Sequence, residues 1–273
     1  MLARPFNRFL PVVAGVALAL SACSSSPSSK ASTAAPTTSA AALTTAAPIG
    51  GSLSVFAAAS LTAGFNAAKT TLTAAHPGLT LTYNFAGSNA LVTQITQGAP
   101  ADVFASADNK NMQKLVDAGL VETPVTFAKN KLEIAVAAGN PRNITSFADL
   151  AKPGVTVVLA AVGVPAGDYT RTILAAKHLT VTPKSLETDV KSAVAKVTSG
   201  EADATVVYVT DVTAAGAQVT GVPVPDADQP AISYPIAVVK AAKNHAAAQA
   251  FVDSSVSGDV QRALEAAGFL PPQ

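Results

Sequence analysis

Hydroxyl-bearing residues recur in this sequence where strand-like runs give way to helical patterns. Ser60 follows the apolar run 53–56 and three alanines, and apolar residues recur behind it at helical spacing. Ser88 stands at the same place in the stretch 85–91. A serine at a helix start offers its hydroxyl and nearby free backbone N–H groups, and the positive end of the helix dipole points the same way. Such a position can bind an anion, and it can equally be an ordinary serine N-cap.

Three further positions could add hydrogen-bond donors to the same site. The stretch 164–169 follows a strand and opens a helix, which leaves the backbone N–H of Ala166 unpaired in the first turn. Val190 follows Asp189 at another helix start, so its amide is free in the same way. A buried-looking strand ends on the hydroxyl of Tyr208. Each position alone fits a cap or a core residue, but all five together indicate neutral donors around an oxyanion.

Patterns for catalysis and for metal binding are weak. His76, His178 and His245 lie far apart, and no pair has the spacing of metal ligands. The sequence contains no G-x-S-x-G elbow, no P-loop and no G-x-G-x-x-G dinucleotide loop. We therefore expect a protein that is not an enzyme and that has no cofactor and no resident metal ion.

Charge and length bound the class of protein. The chain has 273 residues, of which 49% are hydrophobic, with 18 basic and 17 acidic side chains. The length allows one large domain or two smaller ones with a sizeable core. Because the net charge is near zero and no Lys/Arg cluster occurs after the N-terminal segment, we expect no nucleic-acid partner.

The N-terminal segment has the pattern of an export signal. Arg4 and Arg8 precede the apolar run 9–20, which is too short to span a bilayer well. The run ends in Leu-Ser-Ala-Cys, which resembles a bacterial lipobox, so residues 1–22 are predicted to be a lipoprotein signal peptide and Cys23 to be lipidated. The alternative is a plain secretory signal or a membrane anchor with an incidental cysteine.

The segment 23–50 is predicted to be a tether. After Cys23 it consists almost wholly of Ser, Thr, Ala and Pro, which cannot bury enough apolar surface to become ordered. The protein is therefore expected to be exported and held by its lipid anchor on the outer face of the cell membrane.

From residue 51 onward, short apolar runs alternate with helical patterns, which predicts an α/β fold with mainly parallel sheets. The predicted strands lie near 53–57, 79–85, 102–105, 132–138, 155–159, 204–209, 219–224 and 234–240. The predicted helices lie near 61–75, 88–97, 109–118, 146–151, 167–178, 188–199, 246–256 and 258–267.

The strand–helix alternation also indicates two lobes. The segment 132–233 has its own alternation, so 51–131 and 234–273 could form one discontinuous lobe, with two crossover strands joining it to the second. A ligand cleft would then lie between the lobes, where helix N-termini converge. The alternative is a single, continuous, doubly wound domain.

Four motifs carry a resemblance to a known family over about residues 51–270. They are the stretches 56–62, 98–108, 164–167 and 234–239. Together they resemble the molybdate-binding proteins of bacterial molybdate ABC transporters. The resemblance implies a two-lobed periplasmic-binding-protein fold of type II, with the ligand in the cleft between the lobes.

The resemblance also implies a ligand set and partners. A tetrahedral oxyanion, molybdate and also tungstate, would be held by Ser60, Ser88, Ala166, Val190 and Tyr208. The expected protein partners are the permease subunits of an ABC transporter, and the chain is expected to be a monomer. Asp102, Asp108 and Asn109 are interpreted as cap and turn residues. The alternatives are a binding protein for sulfate or another tetrahedral oxyanion, an enzyme on this fold, and a structural lipoprotein.

Overall fold

The computed structural model describes residues 50–273. The predicted signal peptide 1–22, the predicted lipidation of Cys23 and the predicted tether, except its last residue, lie outside the described residues. Within residues 50–273, no helix has the length and apolar character that a membrane span requires.

The described residues form ten strands, eight α-helices and four short 3₁₀ helices. The strands are β1 (Gly51–Ala58), β2 (Leu79–Ala86), β3 (Val103–Ala105), β4 (Val125–Asn130), β5 (Leu132–Ala137), β6 (Val158–Ala160), β7 (Ser185–Glu187), β8 (Ala204–Tyr208), β9 (Val219–Pro223) and β10 (Ile232–Val238). The α-helices are α1 (Thr62–Ala75), α2 (Ser88–Thr96), α3 (Asn109–Asp117), α4 (Pro165–Ala176), α5 (Val190–Thr198), α6 (Val209–Ala215), α7 (His245–Ser257) and α8 (Asp259–Ala266). The 3₁₀ helices are Ala59–Leu61, Phe147–Ala151, Gly216–Gln218 and Asp226–Asp228.

The first lobe is built on a five-stranded sheet in the order β2-β1-β3-β10-β4. Strand β1 runs parallel to both of its neighbours, whereas β10 runs antiparallel to both of its own. Helices α1, α7 and α8 pack together beside this sheet. Aromatic rings fill the core there, with Phe65 5.4 Å from Phe251 and 5.6 Å from Tyr83 between ring centroids.

The second lobe is built on an antiparallel sheet in the order β8-β5-β9. The parallel pair β6 and β7 extends it through a bridge between Val157 and Ala204. Helices α4 and α5 pack on β6 and β8. Both helices begin near Tyr208, the last residue of β8. Valine and alanine side chains dominate this core.

The chain passes between the two sheets twice. It leaves the five-stranded sheet after Asn130 and re-enters that sheet at Ile232. The lobe limits 51–131, 132–233 and 234–273 stay a prediction. The expectation of mainly parallel sheets is wrong, because only three of the seven strand pairings are parallel. Strand β10 returns from the second lobe against the direction of its neighbours, and β5 pairs antiparallel on both sides.

Most predicted elements coincide with observed ones within a few residues, but the sequence pattern misses β4, β7 and α6. Helix α6 starts directly after β8, and its sequence Val-Thr-Asp-Val-Thr is rich in β-branched residues, which favour strands. The predicted strand 204–209 therefore runs one residue into α6. The segment 146–151, predicted as a helix, is largely a 3₁₀ helix.

The interpretation of Asp102 and Asp108 as structural residues is confirmed. The buried Asp102 accepts hydrogen bonds from the backbone N–H groups of Ser54 and Lys243, both at 2.8 Å, and so joins β1 to the turn before α7. Asp108 is the N-cap of α3 and accepts from the Asn111 N–H at 2.8 Å. Asn109 is the first residue of that helix.

We expect Asp102→Ala to lower the free energy of unfolding by about 3 kcal/mol, because two backbone N–H groups lose a charged acceptor. Urea unfolding followed by circular dichroism measures this change. Asp117→Ala is the matched control, since Asp117 is exposed and should change stability by less than about 0.5 kcal/mol. Equal effects of the two substitutions would contradict the interpretation that Asp102 stabilises the fold by joining β1 to the turn before α7.

Candidate functional site

The structure brings all five predicted donor residues to one cavity. It lies between the lobes, where β1, β2 and β8 end and where α2, α4 and α5 begin. The volume of the cavity is about 10 Å³. That is about the space that a single water molecule requires, so the cavity suits only a ligand of very few atoms. The predicted residues that line it are Ser60, Ser88, Ala166, Val190 and Tyr208.

Ser60 is buried and lies inside the 3₁₀ helix Ala59–Leu61, not at the N-cap of α1. The interpretation of Ser60 as an ordinary serine N-cap is therefore wrong, since neither this turn nor α1 has a side-chain cap hydrogen bond. The Ser60 hydroxyl lies instead 3.0 Å from the hydroxyl of Tyr234, a residue 174 positions later in the chain. The local pattern located the serine correctly but misassigned its partner.

Ser88 is fully buried and is the first residue of α2, whose N-cap is Gly87. Its hydroxyl oxygen accepts a hydrogen bond from the Ala107 N–H at 3.1 Å. The hydroxyl hydrogen of Ser88 is not used in that bond. It can therefore be donated to a group in the cavity.

Ala166 and Val190 present backbone donors from the second lobe. Ala166 is in the first turn of α4, after Pro165, and Val190 is the first residue of α5. N–H groups at these positions have no acceptor within their own helix. The positive ends of α2, α4 and α5 thus face one space, which favours a negatively charged ligand.

The hydroxyl of Tyr208 gives the strongest structural evidence about what the cavity binds. It is 1% exposed, and its hydroxyl has no hydrogen-bond partner among the described residues. Burial raises the pKa of Tyr208 well above its ordinary value, so the hydroxyl keeps its proton and remains a donor. Because a buried hydroxyl needs a hydrogen-bond partner, this geometry favours a ligand in the cavity that accepts a bond from Tyr208.

Few charged side chains lie around the cavity, and most of them are paired with other groups of the protein. None of the described residues that line it carries a positive side chain. Asp189 also lines it, but as the N-cap of α5 it accepts from Ser192 N–H at 2.9 Å and Ser192 Oγ at 3.1 Å. Among residues that do not line the cavity, Lys191 Nζ lies 3.0 Å from the buried Asp211 carboxylate. Burial raises the pKa of Asp211, although Lys191 opposes that rise.

Sequence reasoning did not find three residues that shape this site. Gly87 and Asp189 line the cavity, and Tyr234 contacts Ser60 from behind. A signal for Tyr234 was available, because its phenol stands in the largely apolar strand Ile232–Val238 and a buried phenol hydroxyl needs a partner. No pattern in the sequence tells where that partner lies.

The two lobes contact each other beside the cavity. The Lys110 ammonium on α3 lies 2.7 Å from the Asp168 carboxylate on α4, and Asn111 Nδ2 donates to the Gly163 carbonyl at 3.2 Å. Burial raises the pKa of Asp168, but hydrogen bonds from Lys110 and from the Gly163 N–H outweigh it and lower the pKa. Taken together, the cavity can enclose a small oxyanion that receives hydrogen bonds from both lobes.

The chain is similar to known proteins over most of its length. Residues 53–270 match the family described as bacterial extracellular solute-binding protein. The chain is 43% identical over 222 residues to the molybdate-binding protein ModA of Mycobacterium tuberculosis, a match that covers 81% of this chain and 85% of that relative.

Solved structures show the same fold. The periplasmic molybdate-binding protein of Azotobacter vinelandii has a TM-score of 0.70 at 22% identity, over 81% of this chain and 100% of that one. The sulfate-binding protein SubI of Mycobacterium tuberculosis has a TM-score of 0.68 at 22% identity, over 81% and 86%. These matches confirm the predicted two-lobed periplasmic-binding-protein fold.

Removing the unpaired hydroxyl of Tyr208 should not harm the anion-free protein. We expect Tyr208→Phe to change the free energy of unfolding by less than about 0.5 kcal/mol after exhaustive dialysis, because the hydroxyl loses no bond to the described part of the protein. Tyr234→Phe is the matched control and should lower it by about 1 kcal/mol, since its hydroxyl is bonded to Ser60. Urea unfolding measures both, and equal destabilisation would show that Tyr208 has an internal partner.

Proposed function

The chain belongs to the bacterial extracellular solute-binding proteins, and from this membership we propose that it captures molybdate for import by an ABC transporter. The observation that carries the proposal is the buried Tyr208 hydroxyl, which has no partner among the described residues and lies at a cavity lined by four further donor residues. The 43% identical relative named as a molybdate-binding protein supports the choice of anion.

In this proposal the ligand is held entirely by neutral dipoles. The hydroxyls of Ser60, Ser88 and Tyr208 and the backbone N–H groups of Ala166 and Val190 donate to the oxygens of a tetrahedral dianion. Fixed donors of this kind stabilise an anion without a cation, because the helix N-termini behind them add partial positive charge. Tungstate has the same shape and charge as molybdate, so we propose that it binds too.

The proposal extends to location and partners. The lipobox pattern ending at Cys23 supports export and a lipid anchor on the outer face of the membrane. The permease subunits of an ABC transporter would receive the anion, and no bond of the anion would be made or broken. We propose that the protein acts as a monomer.

Binding closes the two lobes over the anion in this scheme. The two serines belong to the first lobe, whereas Ala166, Val190 and Tyr208 belong to the second, so only a closed cleft offers all five donors to one ligand. A ligand that contacts both lobes favours the closed state by the difference in its affinity for the two states.

Calorimetric titration of the purified protein with molybdate, tungstate, sulfate and phosphate tests the proposed function. We expect molybdate and tungstate to bind more tightly than sulfate and phosphate. Tyr208→Phe should weaken molybdate binding by about 1–3 kcal/mol, because a hydrogen bond to a charged ligand is lost. Tight binding of sulfate with no binding of molybdate would overturn the proposal in favour of a sulfate-binding protein.

Closure should depend on the absence of a side chain at Gly87. A Cβ atom there would lie 2.5 Å from the backbone carbonyl oxygen of Thr188 in the opposite lobe. We expect Gly87→Ala to weaken molybdate binding by about 1–3 kcal/mol, because the lobes can no longer approach fully. Calorimetry measures the loss.

Gly78→Ala is the matched control for this substitution. A Cβ at Gly78 would meet no atom within 4 Å, so its affinity should stay that of the wild type. Circular dichroism should show that both variants are folded. Wild-type affinity in Gly87→Ala would contradict the interpretation that the close approach of Gly87 and Thr188 is part of the binding state.

A further inference from the structure

A chain of buried polar side chains runs from the cavity to the connection between the lobes. Ser60 Oγ lies 3.0 Å from Tyr234 Oη, which lies 3.4 Å from Asn130 Nδ2. Asn130 Nδ2 also donates to Thr210 Oγ1 at 2.9 Å. All four side chains are at most 5% exposed, so water cannot replace these contacts readily.

A backbone contact fixes the orientation of the Asn130 amide in this chain. Asn130 Oδ1 accepts from the Lys131 N–H at 2.9 Å, which turns the amide nitrogen toward Tyr234 and Thr210. An amide nitrogen can only donate, so the Tyr234 oxygen accepts from it. The phenol oxygen could accept a second bond, but among the described residues Ser60 Oγ is the only acceptor within hydrogen-bond distance of Tyr234 Oη, so the hydrogen of Tyr234 goes to Ser60 Oγ. Ser60 accepts that bond, and its own hydrogen is left for the cavity.

The position of Asn130 ties this direction to the arrangement of the lobes. Asn130 is the last residue of β4 in the first lobe, and β5 of the second lobe begins two residues later. Its other partner, Thr210, is in the first turn of α6, two residues after Tyr208. One amide therefore contacts the tyrosine behind Ser60 and the helix that follows Tyr208.

We propose that Tyr234 and Asn130 are positioning residues for anion capture. They hold the Ser60 hydroxyl as a donor toward the cavity, and they do so from the point where the lobes are joined. This inference rests on the proposed function, because it requires that Ser60 donates to a bound oxyanion. Neither residue touches the anion itself.

A double-mutant cycle on the full chain tests the proposal by molybdate calorimetry. Tyr234→Phe should weaken binding about fivefold or more when Ser60 is present. In the Ser60→Ala background, the same change should weaken binding less than twofold, because the hydroxyl it orients is gone. A merely structural role of Tyr234 would cost the same affinity in both backgrounds.

Two further variants test whether the effect of Tyr234→Phe is specific. Tyr83→Phe is the matched control, because its hydroxyl is also buried in the first lobe but has no partner among the described residues, and it should leave affinity unchanged. Asn130→Asp keeps the size but makes the group an acceptor, so Tyr234 should donate to it and turn Ser60 away. Asn130→Asp should lower the affinity for molybdate more when Ser60 is present than in the Ser60→Ala background. This second cycle tests the proposal if Tyr234→Phe does not fold.

The outcomes separate this inference from the proposed function. Equal losses in both backgrounds overturn the positioning role and leave molybdate capture standing. A wild-type protein that binds none of molybdate, tungstate, sulfate and phosphate overturns both.

Discussion

A buried anion can be held without a counter-charge only if its hydrogen-bond donors are already fixed in direction. Each donor that had to reorient on binding would reduce the gain from the bond, and each donor left unpaired would oppose folding. In this protein the helix starts at α4 and α5 fix the two backbone amides. The Ala107 N–H fixes Ser88, and burial keeps Tyr208 protonated. The rest of the fold serves to bring these groups within reach of one space.

Small residues make that convergence possible. The cavity wall between the donors consists largely of alanine and glycine, including Ala58, Ala59, Gly87 and Ala107. Larger side chains would occupy the space of the ligand or keep the lobes apart, as the contact between Gly87 and the Thr188 carbonyl illustrates. The size of the cavity therefore results from the short side chains at the strand ends as much as from the placement of the helices.

The sequence predicted which residues meet at the cavity better than it predicted the hydrogen bonds that they make. Ala166 and Val190 could be predicted to have free amides because these follow directly from a helix start, which is a local signal. Ser60 was located by the same signal, yet its partner Tyr234 is 174 residues away and no local pattern encodes that contact. Helix α6 was missed because its β-branched residues favour a strand, and tertiary packing overrides that preference. Strand direction in the sheets was misjudged because it depends on how the chain returns between the lobes.

The two polar contacts that cross between the lobes beside the cavity contribute little to the closed state. The pair formed by Lys110 and Asp168 lies at the surface, with the lysine side chain 64% exposed, and such pairs contribute about 0–1 kcal/mol. The bond from Asn111 to the Gly163 carbonyl adds a similar, modest amount. An anion that accepts from donors on both lobes supplies several charge-assisted bonds, which are stronger. In the proposed function the anion therefore contributes more to closure than the exposed ion pair does.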